Sequence, residues 1–306
     1  MKTAIEVIII LLSIIIGTMY HEYGHLKAAK KTGIKCTKYC IGIGKMLWSH
    51  KGKDGIEYGI APFPVGGYCA IDDDELDAAP TKDFLKVMSG GVKNNIILFF
   101  ILFIIGTIIS QGIFNPITLI YKSVQMFILT IVLIFSSIGE LFNFNSVVEG
   151  GGIVTGMLST CDAISSITQT PMQIIGTSLM MGAVFNLMMA VLNAFPIPGL
   201  DGGQSFIRIL QDVSQKLFHK QIPAKIIHFI NTFFVVVLVG LQMSFFLLDI
   251  KPIQNFLLMS NANKISFIIS NLGRIVISIV IVAAIMKVID IIRKQQKNNK
   301  KCADVN

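Results

Sequence analysis

The sequence predicts an α-helical polytopic membrane protein with about four core transmembrane helices, one extra C-terminal span, and a small membrane-associated β-hairpin or sheet after the first helix. Three observations predict it. Of the 306 residues, 53% are hydrophobic and only 14% charged, with a mean hydropathy of +0.69, whereas a soluble domain carries roughly a quarter charged residues. Long apolar runs recur along the chain, several of them ending in clusters of lysine. Proline- and glycine-rich stretches at residues 61–68 and 195–203 interrupt the pattern where neither can be helix. The net charge of +8 sits beside the apolar runs, as the basic flanks of membrane spans do, and argues against nucleic acid as a partner.

The first span covers about residues 4–29 and ends in Lys27, Lys30 and Lys31. It has no small-residue cleavage site, so it reads as a retained helix rather than a leader. Further lysines follow at 35, 38, 45, 51 and 53, against only Lys2 before the span. This bias places the N-terminus outside and the loop after the span in the cytosol. Residues 33–71 lack a helical period and read as short strands, 38–44 and 55–62, joined by a hairpin turn over 51–55. Backbone edges of a sheet survive at membrane depth only under protein or water cover. Such a hairpin belongs either beside the end of the first helix, where its edge can take up an extended peptide, or on the cytosolic surface. The acidic run Asp72, Asp73, Asp74, Glu75 and Asp77 reads as a solvated loop.

A second span covers about residues 83–110 and holds Asn94 and Asn95, polar residues that at this depth face the bundle or a cavity. Residues 117–142 have an apolar core too short for a full crossing, and an extra crossing would put the next polar motif on the wrong side. They are expected to form an interfacial or half-inserted helix. A third span, about 172–194, carries Met180, Met181, Met188 and Met189, which read as packing. An amphipathic basic helix follows over 204–218, then a fourth span at about 224–248. Residues 1–250 thus form the expected core. Residues 251–306 add a fifth span, about 265–292, and a basic cytosolic tail. The five scattered cysteines give no disulfide framework, and Cys36 and Cys40 read as small apolar fillers.

The chemistry concentrates at the foot of the first span, where His21-Glu22-Tyr23-Gly24-His25 supplies two histidines one helical turn apart. On one helix face they can grip a single metal ion, and the glutamate beside them can take a proton from the attacking water. The second concentration is the broken end of the third span, Asn193 through Gly203, with Asp201 in the break. A carboxylate there is costly unless paired or metal-bound, and a catalytic zinc uses three protein ligands. Asp201 is therefore the expected third ligand, although an N-cap for the next helix also suits an aspartate. His50, His219 and His228 read as surface residues.

The two motifs, with residues 41–45, 57–58, 64–68 and 89–94, resemble the site-2 protease family of intramembrane zinc metalloproteases, in particular its RseP-type branch. The resemblance covers most of residues 1–250. It implies one zinc ion on His21, His25 and Asp201, with Glu22 as general base, and Asn193 and Asn94 near the substrate or oxyanion. Because a transmembrane helix must unwind before it is cut, the expected substrates are single-span membrane proteins pre-cleaved by another protease, and the lysine bias puts the site toward the cytosolic side of the cell membrane. Residues 111–170 are too short and apolar for the PDZ domain that this branch usually carries. The rival expectation is a non-catalytic protein, either a pseudoprotease binding membrane helices or another metal-binding membrane protein.

Overall fold

The computed structural model describes residues 2–140, 170–219, 222–223, 225–227 and 229–236. Three helices within it are long and apolar enough to cross a membrane: α1 (Lys2–Thr32), α3 (Thr81–Gln111) and α5 (Pro171–Ala194). They match the first three expected spans. The remaining elements are β1 (Cys36–Ile43), β2 (Trp48–Lys51), β3 (Glu57–Ile60), β4 (Phe63–Ile71), α2 (Asp73–Ala78), α4 (Pro116–Glu140) and α6 (Asp201–Phe218). A shorter apolar helix at Lys225–Val236 falls in the expected fourth span. The expected fifth span and basic tail lie outside the described residues.

The bundle inverts the pattern of a soluble core. Ile8, Leu11, Leu12 and Ile16 of α1 and Ile97, Ile101 and Ile105 of α3 are exposed, while Ser13, His21, His25, Asn94, Asn95 and Asn186 are buried. In lipid no hydrophobic force draws helices together, so close backbone approach and internal hydrogen bonds must do so. Small residues supply the approach. A Cβ on Gly24 of α1 would lie 2.2 Å from the Gly90 carbonyl oxygen of α3, and one on Gly106 of α3 would lie 2.5 Å from the Gly176 carbonyl oxygen of α5. Asn186 of α5 supplies a polar link, donating from Nδ2 to the Ser13 carbonyl of α1 at 3.1 Å. Phe99, Phe103, Ala183 and Leu187 fill the remaining space between α3 and α5.

Gly33, at φ +76°, closes α1, and the Ile34 amide donates back to the Ala29 carbonyl at 3.0 Å. The chain then enters a four-stranded sheet in the order β2-β3-β1-β4, which corrects the expected hairpin. The two expected strands pair in parallel, as β1 with β3. The turn near residues 51–55 joins β2 to β3, and the Pro/Gly-rich tail is itself strand β4, antiparallel to β1. The sheet sits against α1, tied by Tyr39 Oη donating to the Met19 carbonyl at 2.7 Å.

The acidic run is a helix rather than the expected loop. Asp72 caps α2 by accepting from the Asp74 and Glu75 amides, acidic residues fill its first turn where the helix dipole favours them, and Leu76 is buried beneath it. α4 is a helix near its expected bounds. Its apolar stretch within the described residues, Pro116–Val132, is shorter than those of α1, α3 and α5. α5 starts with a capping box, Thr170 with Gln173, and Pro171 in its first turn.

α6 begins at Asp201, and its N-cap is Leu200, so Asp201 is not the cap. Glycine lets the preceding break fold tightly onto its first turn. A Cβ on Gly203 would sit 2.0 Å from the Ile197 carbonyl oxygen. Arg208 then anchors α6, donating to the Asp77 carbonyl at 2.8 Å and the Ala79 carbonyl at 2.6 Å, with its guanidinium over the Phe84 ring. α6 is thereby tied to α2 and the start of α3 two turns beyond Asp201.

Candidate metal centre

His21 and His25 lie one turn apart on α1, each 6% exposed, with their Nε2 atoms 3.2 Å from one another. Asp201, from the start of α6, brings Oδ2 to 3.1 Å from both nitrogens. Three acceptor atoms thus form a nearly equilateral triangle. Oδ2 is buried and receives no hydrogen bond of proper geometry. Crowding of this kind has one economical explanation, a cation at the point where the lone pairs converge. Zinc bonds of about 2.0–2.1 Å in a tetrahedral site imply ligand separations of about 3.3 Å, close to those seen. Among the described residues no other group of three such side chains converges.

Space for the ion comes from α3. A Cβ on Gly91 would lie 2.5 Å from His21 Nε2 and 2.6 Å from His25 Nε2, so any larger residue would fill the cradle. The same helix orients both rings. His25 Nδ1 lies 2.8 Å from the Val87 carbonyl oxygen, which can only accept, so Nδ1 carries the proton and Nε2 keeps its lone pair. His21 Nδ1 lies 3.3 Å from the Asn95 amide, whose Oδ1 is buried without a partner. Turning that amide about its axis, a shape-neutral change, lets Oδ1 accept from Nδ1–H and frees His21 Nε2 for the metal.

Glu22 opens into the same cleft of about 370 Å³ as His25, Asp201 and Cys69, and its Oε2 accepts from the Cys69 amide of β4 at 3.0 Å. The sheet thus holds the carboxylate that stands next to the ligand pair. Asn94 is buried, and its Nδ2 donates to the Tyr20 carbonyl at 2.6 Å. Asn193, in the last turn of α5, donates to the Met189 carbonyl at 3.1 Å. The structure therefore brings His21, His25, Asp201 and Glu22 together, while both asparagines bond to backbone. His50 is exposed and stacks on Trp48, and His219 is exposed at the end of α6. His228 lies outside the described residues. Asn95 and Gly91 are the site residues that sequence reasoning missed. The adjacent asparagines drew attention without a rotational setting for α3, which decides which of the two meets His21.

A two-histidine, one-carboxylate cation site sharing a cleft with a glutamate, at the foot of apolar helices, has the residue set of a metal-dependent hydrolase within a helical membrane protein. The chain matches the model of Peptidase family M50 over residues 7–241 and belongs to that family. It is similar to the regulator of sigma E protease of Haemophilus influenzae, 36% identical over 72 residues, 24% of this chain and 16% of that protein. It is also similar to the zinc metalloprotease Rip1 of Mycobacterium tuberculosis, 36% identical over 85 residues, 25% of this chain and 21% of the relative. Protease RseP of Yersinia pestis is 40% identical over 58 residues, 19% of this chain and 13% of the relative. The chain thus spans about a fifth or less of the length of these relatives.

Two outcomes follow from this geometry. Gly91→Ala should abolish stoichiometric metal binding in detergent-purified protein, read by elemental mass spectrometry. An unchanged content would mean that α3 does not close the cradle. Asn95→Leu should weaken zinc affinity about 10- to 100-fold in competition with a chelating dye, the usual cost of losing a partner behind a ligand. Asn95→Asp, which keeps the acceptor, should recover most of it. Equal affinity in all three proteins would contradict the role given to Asn95.

Proposed function

We propose that this chain is an intramembrane zinc metalloendopeptidase that hydrolyses peptide bonds in or near transmembrane segments of single-span membrane proteins already shortened by another protease. The observation that carries the reading is the 3.1–3.2 Å triangle of His21, His25 and Asp201 with Glu22 in the same cleft. Membership of Peptidase family M50 and relatives named zinc metalloprotease support it. One zinc ion on those three residues would supply Lewis-acid polarisation of the scissile carbonyl and water activation near neutral pH. Glu22 takes the proton of the attacking water and passes it to the leaving amine.

A transmembrane helix hides its carbonyls in internal hydrogen bonds, so the substrate must unwind before it can be cut. β4 lies at the end of the sheet next to Glu22 and suits strand addition by the unwound segment. Leu47 and Trp48 at the other side of the sheet are 74% and 61% exposed and suit insertion into lipid. Asn193 and Asn94 are assigned to the substrate side, Asn193 as the nearer to the broken end of α5. The lysines after His25 support a site toward the cytosolic side, with the N-terminus outside and the C-terminus in the cytosol.

Glu22→Gln tests the reading directly. With the purified full chain and a single-span substrate in liposomes, zinc content should stay stoichiometric while cleavage falls about 10²- to 10⁴-fold, the usual weight of general base catalysis. Wild-type cleavage by a fully zinc-loaded variant would overturn the assignment.

A further inference from the structure

Cys36 of β1 and Cys69 of β4 place their sulfurs 3.1 Å apart. They are not direct partners across the strands. The register pairs Cys36 with Ile71 and Cys69 with Tyr39, and a shift between Cys36 and Lys38 brings the two sulfurs together. Among the described residues no third metal-ligating side chain joins them, so the pair is a dithiol rather than a metal site. Cys40, the other cysteine of β1, turns its S–H to the Ile41 carbonyl.

Position gives the pair its interest. The Cys69 amide donates to Glu22, and Cys69 lines the cleft that holds His25 and Asp201. On the other side, Cys36 lines a separate cleft of about 480 Å³ that it shares with Lys35, Lys51, Asp54 and Glu57, wide enough to admit a small-molecule oxidant. The hydrogen bond to Cys69 lowers the Cys36 thiol below its usual range, with the nearby Lys30 charge adding to the effect. Closing two sulfurs from 3.1 Å to a bond of about 2.0 Å requires about 1 Å of movement, within reach of side-chain rotation and a small strand shift.

We infer that Cys36 and Cys69 are a redox-sensitive dithiol, closed to a disulfide by a small-molecule disulfide and lowering turnover at the neighbouring site. The Cys36 thiolate attacks one sulfur of the oxidant, forming a mixed disulfide and expelling one thiolate. The Cys69 sulfur then displaces the second thiolate, and the two thiol protons of the protein end on the two released thiols. The protein pair loses two electrons and the oxidant gains them. Closure draws the Cys69 sulfur toward Cys36 and shifts the stretch of β4 whose amide Glu22 accepts from. The base loses the amide that orients it, and the strand edge offered to substrate is pinned.

The effect on turnover rests on the proteolytic reading above, whereas the dithiol itself does not. The test treats the detergent-purified full chain with oxidised glutathione, blocks free thiols, and maps linked peptides by mass spectrometry beside a cleavage assay. A Cys36–Cys69 linked peptide should appear, and turnover should fall on the order of 10- to 100-fold and recover with dithiothreitol. Cys36→Ser, with Cys36→Ala as a second variant, should keep basal turnover and ignore the oxidant. Absence of the linked peptide while other cysteines are modified would overturn the site, and a linked peptide with unchanged turnover would overturn the switch. No cleavage even before oxidation would instead count against the proteolytic reading, and the linked peptide would still decide the dithiol.

Discussion

Mutual repulsion among three acceptor atoms is the constraint on which the structure depends. Two imidazole nitrogens and a carboxylate oxygen stand within 3.1–3.2 Å of each other, buried, with both imidazole Nδ1 atoms facing hydrogen-bond partners on α3. In water such a cluster would splay apart. In a low-dielectric bundle it persists only with a positive charge at its centre, because an unpaired buried carboxylate is far costlier there than at the surface. The ion and the fold therefore stabilise one another, since a site that exists only in the folded protein makes binding energy folding energy.

The rest of the architecture brings those atoms to one place. α1 delivers His21, Glu22 and His25 in one turn. α3 offers a glycine where the rings need room, and a carbonyl and an amide where their outer nitrogens need partners. α6 delivers Asp201 from its first turn, and Arg208, two turns on, ties the helix to the α2–α3 junction. The sheet holds Glu22 through one backbone amide. Glycines and backbone groups make many of these junctions, which agrees with the part that close approach plays in helix association in lipid.

The convergence of His21, His25 and Asp201 could be read from the residues because its signals are local or forced. Two histidines four apart share a helix face in any helix, and an aspartate between a Pro-Gly break and a helix start has few ways to be satisfied at membrane depth. Long apolar runs declared the three spans for the same reason. The sheet was misread because parallel pairing of β1 with β3 is non-local, and because β2, four exposed residues, has no alternating pattern to announce it. The acidic run looked like a loop because its charges masked a capped turn anchored by one leucine. Asn95 was hidden by its neighbour Asn94, since only the rotation of α3 against α1 separates a residue facing His21 from one bonding the Tyr20 carbonyl. The Cys36–Cys69 contact arises from a register shift that sequence spacing does not encode.

X-ray absorption at the zinc edge, on the full chain purified in detergent, reads the ligand shell itself. One zinc per chain is expected, with only nitrogen and oxygen neighbours, two of them imidazole, at about 2.0–2.1 Å. Sulfur neighbours at about 2.3 Å, or a shell that keeps both imidazoles and all its oxygen in Asp201→Ala, would contradict that expectation.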